Sequence, residues 1–456
     1  MIIHIRNFGK IESADIDLNN LVIFVGENNS GKTYIMQLIY GLFSFFYSTD
    51  FNSFLSKFDK LSINDEKTVV KNNNTVFYEV LQDEFNSFLN ENKDLIIENT
   101  FHTRNLSINS LSVEFKKISD DISLVYQFDF ETSDEINKKY LIKKNKETVF
   151  TIAFPSNMPD KFIKRVVKRQ LLTTIFSELT GLRNLAYSRL DEKAFIYLPA
   201  SRSGMMLLYA NYLANDVKKD FSKDDGYFIE KAHNTDTENE YGLTEPIYNF
   251  LMFLLKHKNS EIIPEYNKDI ISFINDFVIN GSFEKIGTTM RYKPSASDQS
   301  IPIYLSSSLV SELAPIYQIL SGIQRYNYIM YDEIETCQHP TKQLQLARLL
   351  VRMVNAGYKM IVSTHSDTMA LAINNLITLS FKKGKNSLLE KLGYEEKDLL
   401  KSANVKAYQF LIGETGKTII QEIPSHFSVG IGFDFNLFNR TNDKIYQDAV
   451  ALAEVE

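Results

Sequence analysis

Leu21-Val22-Ile23-Phe24-Val25, followed by Gly26-Glu27-Asn28-Asn29-Ser30-Gly31-Lys32-Thr33, is the stretch that decides the fold. Five consecutive apolar residues read as a strand buried on both faces, and Tyr34 to Leu42 reads as a helix. Between them lies G-x-x-x-x-G-K-T. Its glycines let the backbone curl so that its amides face a polyphosphate. Lys32 can reach the outer phosphates, Thr33 can hold magnesium, and the helix N-terminus adds partial positive charge. The expected ligand is a nucleoside triphosphate with Mg2+. The phosphate-cradling residues are Gly26, Asn28, Asn29, Ser30, Gly31, Lys32 and Thr33.

Two more strand ends complete the pattern. Tyr328-Ile329-Met330-Tyr331 is a short apolar strand that ends in Asp332-Glu333. An acidic pair at such a place is often a solvated turn. Far downstream of a phosphate loop, Asp332 instead suits the magnesium shell, and Glu333 suits the polarisation of an attacking water. Met360-Ile361-Val362-Ser363-Thr364 is another strand, ending in His365, whose imidazole can contact the γ-phosphate or the water. A lone His at a strand end is usually structural; the order of loop, acidic strand and His strand favours a sensor.

Composition limits the alternatives. The chain has 456 residues, 44% of them hydrophobic and 23% charged, as a globular protein does. A net charge of −7 argues against a uniformly basic surface, though not against one local basic groove. With Cys337 as the single cysteine, an intramolecular disulfide and a Cys-rich zinc site are excluded. No apolar run reaches the roughly 18 residues that span a bilayer. The opening Met1-Ile2-Ile3-His4-Ile5-Arg6 runs straight into strand pattern rather than a signal peptide. A cytoplasmic location with no membrane partner is expected.

Along the chain, residues 1–46 form a β-rich start and the phosphate loop, with strands at Ile2 to Arg6 and Ile11 to Leu18. No glycine occurs between Gly41 and Gly181. Residues 47–190 read as an insertion of mixed helical and strand character, broken by Asn72-Asn73-Asn74 and Lys143-Lys144-Asn145-Lys146. Strands are expected at Leu111 to Phe115 and Leu124 to Phe130, and a helix at Lys161 to Leu179. Residues 191–204 hold the buried strand Ala194 to Leu198 and a sharp turn. Residues 205–300 read as a helical subdomain, in which Ile247 to Leu255 is core. Residues 301–456 return to the head, with an amphipathic helix from Thr341 to Ala356. They end in a hairpin, Val405 to Ile412 and Lys417 to Ile423, turning at Gly413-Glu414-Thr415-Gly416. Gly413 to Thr418 superficially looks like a second phosphate loop, but it lacks the first glycine and sits in that turn.

Gly26 to Thr33, Asp332-Glu333, Glu335 with His339-Pro340, and Ser363-Thr364-His365 together resemble the head of ABC-type ATPases. The branch is the one containing SMC proteins, RecF and the overcoming-lysogenization-defect (OLD) nucleases. Ile5-Arg6-Asn7-Phe8-Gly9-Lys10 is similar to that branch's opening, and Gly-Glu-Asn-Asn-Ser-Gly-Lys-Thr is a characteristic loop of it. Tyr197-Leu198-Pro199-Ala200-Ser201-Arg202-Ser203-Gly204 is similar to a stretch of its small anti-phage ATPases. The resemblance covers both ends of the head and says little about residues 47–190. It implies an α/β P-loop NTPase fold, an ABC-ATPase-like head with a mixed sheet and an inserted α+β or helical region.

The resemblance further implies that two heads meet face to face in a homodimer or higher homo-oligomer. Each ATP would lie between the phosphate loop of one head and a signature segment of the other. Carried over, Lys32 and Thr33 hold phosphate and metal, Asp332 supports the metal, Glu333 is the general base and His365 the switch. The signature candidate is Leu305 to Leu313, with Ser307 and Ser308 toward the nucleotide. It has serines where the LSGGQ pattern has glycines, and an ordinary helix cap is the alternative. No clear Q-loop glutamine is present; Ser201 and Arg202 occupy its place. These departures suit slow turnover or a switch held by bound ATP.

The residues after His365 lack the Toprim metal motif of OLD nucleases, since Asp434-Phe435-Asn436 does not match it. A nuclease or Toprim-like effector would therefore be a separate protein. The basic helical face Lys161, Lys164, Arg165, Lys168 and Arg169 reads either as solvated surface or as a nucleic-acid or partner contact. Two functions are expected: a regulatory ATPase of anti-phage defence controlling a separate effector, or a RecF/SMC-like repair ATPase that binds DNA directly. A transporter subunit fits poorly, because an insertion follows the phosphate loop.

Overall fold

The computed structural model describes residues 1–58, 60–61, 67–70, 75–116, 122–129, 137–144, 147–155, 157–183, 185, 193–208, 243–286, 289–382, 385–426 and 432–453. The asparagine run Asn72-Asn73-Asn74, Asn145-Lys146, Phe130 and residues 209–242 of the expected helical subdomain lie outside the described residues. The chain divides into two compact units. One comprises Met1–Asp17, Gly41–Glu98 and Asn105–Phe195; the other comprises Leu18–Tyr40, Asn99–Arg104 and Ile196–Glu456.

The second unit holds the site. In chain order the elements that build the site are strand β1 (Leu21–Gly26), helix α1 (Lys32–Phe45, in this unit through Tyr40), strand β2 (Phe195–Leu198, in this unit from Ile196), helix α2 (Ser308–Ser321), strand β3 (Tyr328–Tyr331), helix α3 (Pro340–Asn355), strand β4 (Lys359–Thr364), helix α4 (Asp367–Ser380) and strands β5 (Val405–Ile412) and β6 (Thr418–Glu422). Hydrogen bonding orders the strands β6-β5-β1-β4-β3-β2. β1 is parallel to β4 and to β5, β3 is parallel to β4, and β6 returns antiparallel to β5. The result is a mixed sheet within an α/β unit.

The sheet explains its own sequence. β1 is flanked on both edges and covered on both faces, so all six of its residues are buried and none is polar. β3 is buried throughout for the same reason. Register pairs Val25 with Thr364 and Tyr331 with Val362. Parallel strands in this register end at one edge, which places Gly26, Asp332 and His365 together there. The antiparallel β6 needs only the short turn at 413–416, whose Gly416 has φ +76°.

The helices close by local chemistry. His339 caps α3 by accepting the Thr341 amide, and Pro340 occupies its first turn. The chain leaves α3 at Gly357, whose φ of +95° suits a residue without Cβ. Ser366 caps α4 by accepting the Met369 amide at 3.2 Å. That cap fixes the residue just after His365.

The 205–300 segment differs from its helical expectation. Helices Glu245–Lys256 and Glu265–Phe273 and the π-helical turn Ile274–Ile279 are present. An antiparallel hairpin, Gly281–Ile286 with Thr289–Pro294, then follows and is joined by Ile301–Pro302. The helix stops because Asn280 takes φ +49°, and the alternating Met290-Arg291-Tyr292 then runs as strand.

In the first unit, Ile2–Phe8 pairs antiparallel with Ile11–Asp17 and with Ile108–Glu114. A separate antiparallel sheet holds Lys67–Val70, Ile122–Asp129, Asn137–Lys144 and Glu147–Phe154. Helices Thr49–Lys57, Thr75–Phe101 and Asp160–Thr180 complete it. Its core is aromatic: Phe46 stacks on Phe85 at 5.3 Å, and Phe51 meets Phe176 edge-on at 5.1 Å. Among the described residues no helix is long and apolar enough to cross a membrane.

The central strand's packing is testable. Phe24 is fully buried, with ring centroids 6.1 Å from Tyr408 and 5.2 Å from Phe410. Phe24→Ala is expected to destabilise by about 3–5 kcal/mol, read as a lowered denaturant midpoint. An unchanged midpoint would contradict this packing.

Candidate functional site

The loop is shaped by two glycines. A Cβ at Gly26 would sit 2.8 Å from Phe410 Cβ and 3.0 Å from its carbonyl oxygen, on the neighbouring strand. Gly31 has φ +101°, a backbone that side chains rarely permit. Between them Glu27, Asn28 and Asn29 are exposed, and Ser30 and Lys32 are buried. Lys32 Nζ donates to the carbonyls of Gly26 and Glu27, both at 2.9 Å, and to Ser30 Oγ at 3.3 Å. The ammonium is thus held inside the loop that a polyphosphate would fill.

Asp332 is the hub. It is 1% exposed. Its Oδ2 accepts from Thr33 Oγ1 at 2.7 Å and from Tyr197 Oη at 2.8 Å, and its Oδ1 accepts from Ser363 Oγ. Its backbone amide donates to Leu198 O at 3.0 Å. One carboxylate therefore joins the phosphate-loop helix, β2 and β4. Gln37 Nε2 donates to Tyr197 Oη at 3.5 Å from inside α1. Burial, and then the neighbouring Asp332 carboxylate, push the Tyr197 phenol well above its ordinary range, so it stays a donor.

Glu333 sits at the rim, its side chain 37% exposed. Its amide donates to Ser363 Oγ at 2.8 Å, and Thr336 Oγ1 donates to its Oε2 at 3.2 Å. His365 Nε2 lies 3.6 Å from Glu333 Oε1, while His365 Nδ1 lies 3.4 Å from Lys32 Nζ. Burial lowers the His365 pKa, and Lys32 lowers it further; Glu333, Glu335 and the Gly26 backbone pull the other way. A neutral imidazole fits both neighbours, its Nδ1 facing the ammonium and its Nε2–H facing the carboxylate. Glu335 Oε1 accepts the His365 backbone N–H at 2.5 Å and so fixes the chain at that point.

Lys32, Thr33, Asp332, Glu333 and His365 thus share one cluster. Ser307 and Ser308 lie instead exposed at the first turn of α2, and Ser307, at the N-cap position, makes no side-chain cap bond. Tyr304 and Leu305 beside them are also exposed. The sequence pattern gives no role to Tyr197, to Gln37 or to the oxygen by which Glu335 accepts the His365 amide. Their signals were a tyrosine in an apolar strand, a glutamine inside an apolar helix and an acid two residues beyond the acidic pair.

The hydroxyl of Thr33 and the carboxylate of Asp332 are hard oxygen donors, the type Mg2+ takes, and they already lie within 2.7 Å of each other. The residues present fit that ion.

Residues 1–370 match the family described as AAA ATPase domain. No curated protein matches the chain. Three solved SMC heads are similar in structure at low identity. The SmcHead bound to the C-winged helix domain of ScpA has a TM-score of 0.38 and 11% identity, covering 94% of this chain and 99% of that one. The SMC head domain from Thermotoga maritima has a TM-score of 0.34 and 10% identity, covering 93% and 98%. The Smc head with an extended coiled coil, bound to the C-terminal domain of ScpA derived from Pyrococcus furiosus, has 0.35 and 12%, covering 92% and 95%.

The imidazole's state is measurable. Because burial and Lys32 favour its neutral form, His365 is expected to titrate below the ordinary 6.5, and it stays uncharged at pH 7. Protonation as pH falls then works against the folded state. An NMR titration midpoint at or above 6.5 would contradict the assignment.

Proposed function

This chain belongs to the AAA ATPase domain family, and on that footing we propose that it binds ATP with Mg2+ at Gly26–Thr33 and hydrolyses it with Glu333 as general base. The observation that carries this is the single cluster in which Thr33 donates to Asp332 and Lys32 Nζ lies 3.4 Å from His365 Nδ1. Three strand ends, distant in sequence, meet where one triphosphate would lie.

The roles follow from the chemistry. The loop amides and Lys32 bind the β- and γ-phosphates, and Lys32 exchanges its carbonyl partners for phosphate oxygens. Thr33 and Asp332 would hold Mg2+, which supplies charge neutralisation on the phosphates when bound. Tyr197 and Ser363 orient Asp332 for that duty. Glu333 takes a proton from the water that attacks the γ-phosphorus, and ADP leaves with the bond's electrons. His365, neutral and held between Lys32 and Glu333, senses whether the γ-phosphate is present.

The finer reading is a regulatory ATPase of anti-phage defence, in which two ATP-bound heads pair and control a separate effector such as a nuclease. It is supported by the resemblance of Tyr197 to Gly204 to a stretch of small anti-phage ATPases. The exposed Ser307 and Ser308 at a helix N-terminus suit contact with a γ-phosphate held by a second copy. A second reading, direct DNA binding as in RecF-like repair, is favoured by one observation. Lys161, Lys164 and Arg165 are exposed along helix Asp160–Thr180. Salt-dependent DNA binding by the chain alone would favour repair; co-purification of a neighbouring gene product without DNA affinity would favour defence.

Lys32→Ala is expected to weaken ATP binding at least about tenfold, since it removes a phosphate-facing charge. Glu333→Gln is expected to keep ATP affinity, lower kcat by about 10²–10⁴-fold, and accumulate an ATP-dependent pair in gel filtration. Wild-type turnover in the Gln variant would refute the general-base role.

A further inference from the structure

Arg202 and Glu312 are wholly buried, and Arg202 Nε lies 2.5 Å from Glu312 Oε2. A buried ion pair is a poor way to stabilise a core, because desolvating both charges offsets much of their attraction, and apolar residues of like size often serve as well. The remaining donors of Arg202 point to another role. Nη1 donates to Pro199 O at 2.9 Å and to Asp332 O at 2.8 Å, and Nη2 donates to Glu333 O at 3.1 Å. The guanidinium also lies over the Tyr331 ring, 4.4 Å from its centroid. A single side chain thus grips the end of β2 and both residues of the acidic turn.

That grip meets a strained backbone. Glu333 has φ +44°, which a residue bearing a Cβ seldom adopts. Such outliers persist only where the surroundings hold them. Here Ser363 holds the Glu333 amide and Arg202 holds its carbonyl. Glu312, the other end of the pair, lies one turn into α2, beyond Ser307 and Ser308. Burial raises the Glu312 carboxyl, and Arg202 and then Ser203 draw it back down.

We propose that Arg202 is a positioning residue that keeps Glu333 in its left-handed conformation and, through Glu312, ties that conformation to α2, so that contact at Ser307 and Ser308 changes the rate of ATP cleavage. The inference rests on Glu333 being the general base. Its sequence sign was an arginine where a glutamine was expected.

Three variants test it. Arg202→Lys keeps the charge against Glu312, but one ammonium cannot span the three carbonyls. Glu312→Gln keeps the size and removes the charge. The double change Arg202→Met with Glu312→Leu removes both charges and leaves no buried ion unpaired, so it reports even if a single variant fails to fold. In each folded variant kcat is expected to fall at least about tenfold, with ATP affinity within about threefold of wild type. Adding Arg202→Lys to Glu333→Gln is expected to cost no further activity, because both act through one group.

A kcat within about twofold of wild type, equal losses of kcat and ATP affinity, or additive losses in the combined variant would each overturn the proposal. The underlying reading fails separately: Glu333→Gln alone would then hydrolyse ATP at the wild-type rate.

Discussion

The Asp332 carboxylate is the interaction on which the site depends. Thr33, Tyr197 and Ser363 all donate to it, from α1, β2 and β4. A buried carboxylate is costly unless its lone pairs are met, and each hydrogen bond to a charged group contributes about 1.5–3 kcal/mol. Three donors meet that need while fixing where the phosphate loop, the acidic turn and the His strand end relative to one another. The geometry that suits a bound triphosphate is thus also what makes the buried charge tolerable.

The parallel sheet makes this convergence possible. β1, β3 and β4 run in one direction in adjacent register, so their carboxyl ends share an edge. Loops at that edge can carry chemistry while the strands stay apolar. Glu333 takes a left-handed backbone at that edge, and the bonds that hold it come from a strand end and from a buried arginine.

Much of this was legible in the chain. The apolar runs before Gly26, Asp332 and His365 read as buried strands because strands flanked on both sides carry no alternation, and the glycine spacing marked the loop. The partners of Asp332 were less visible. Tyr197 in an apolar strand looks like core until its hydroxyl is placed, and Gln37 inside an apolar helix carries no local sign. Arg202 stood out only as a missing glutamine, because its partners lie far along the chain at Glu312, Asp332 and Glu333. The hairpin Gly281–Ile286 and Thr289–Pro294 escaped notice because a single left-handed residue, Asn280, ends the preceding helical pattern. The first unit's aromatic core is tertiary by nature: Phe46, Phe51, Phe85 and Phe176 have no periodic relation in sequence.

A crystal structure of the chain with Mg2+ and a non-hydrolysable ATP analogue tests the shared site most directly. The γ-phosphate is expected within hydrogen-bond distance of both Lys32 Nζ and the His365 imidazole, with the metal beside Thr33 and Asp332. A triphosphate bound elsewhere, or seated in the loop while His365 and Asp332 face away from it, would contradict the convergence of three strand ends on one nucleotide.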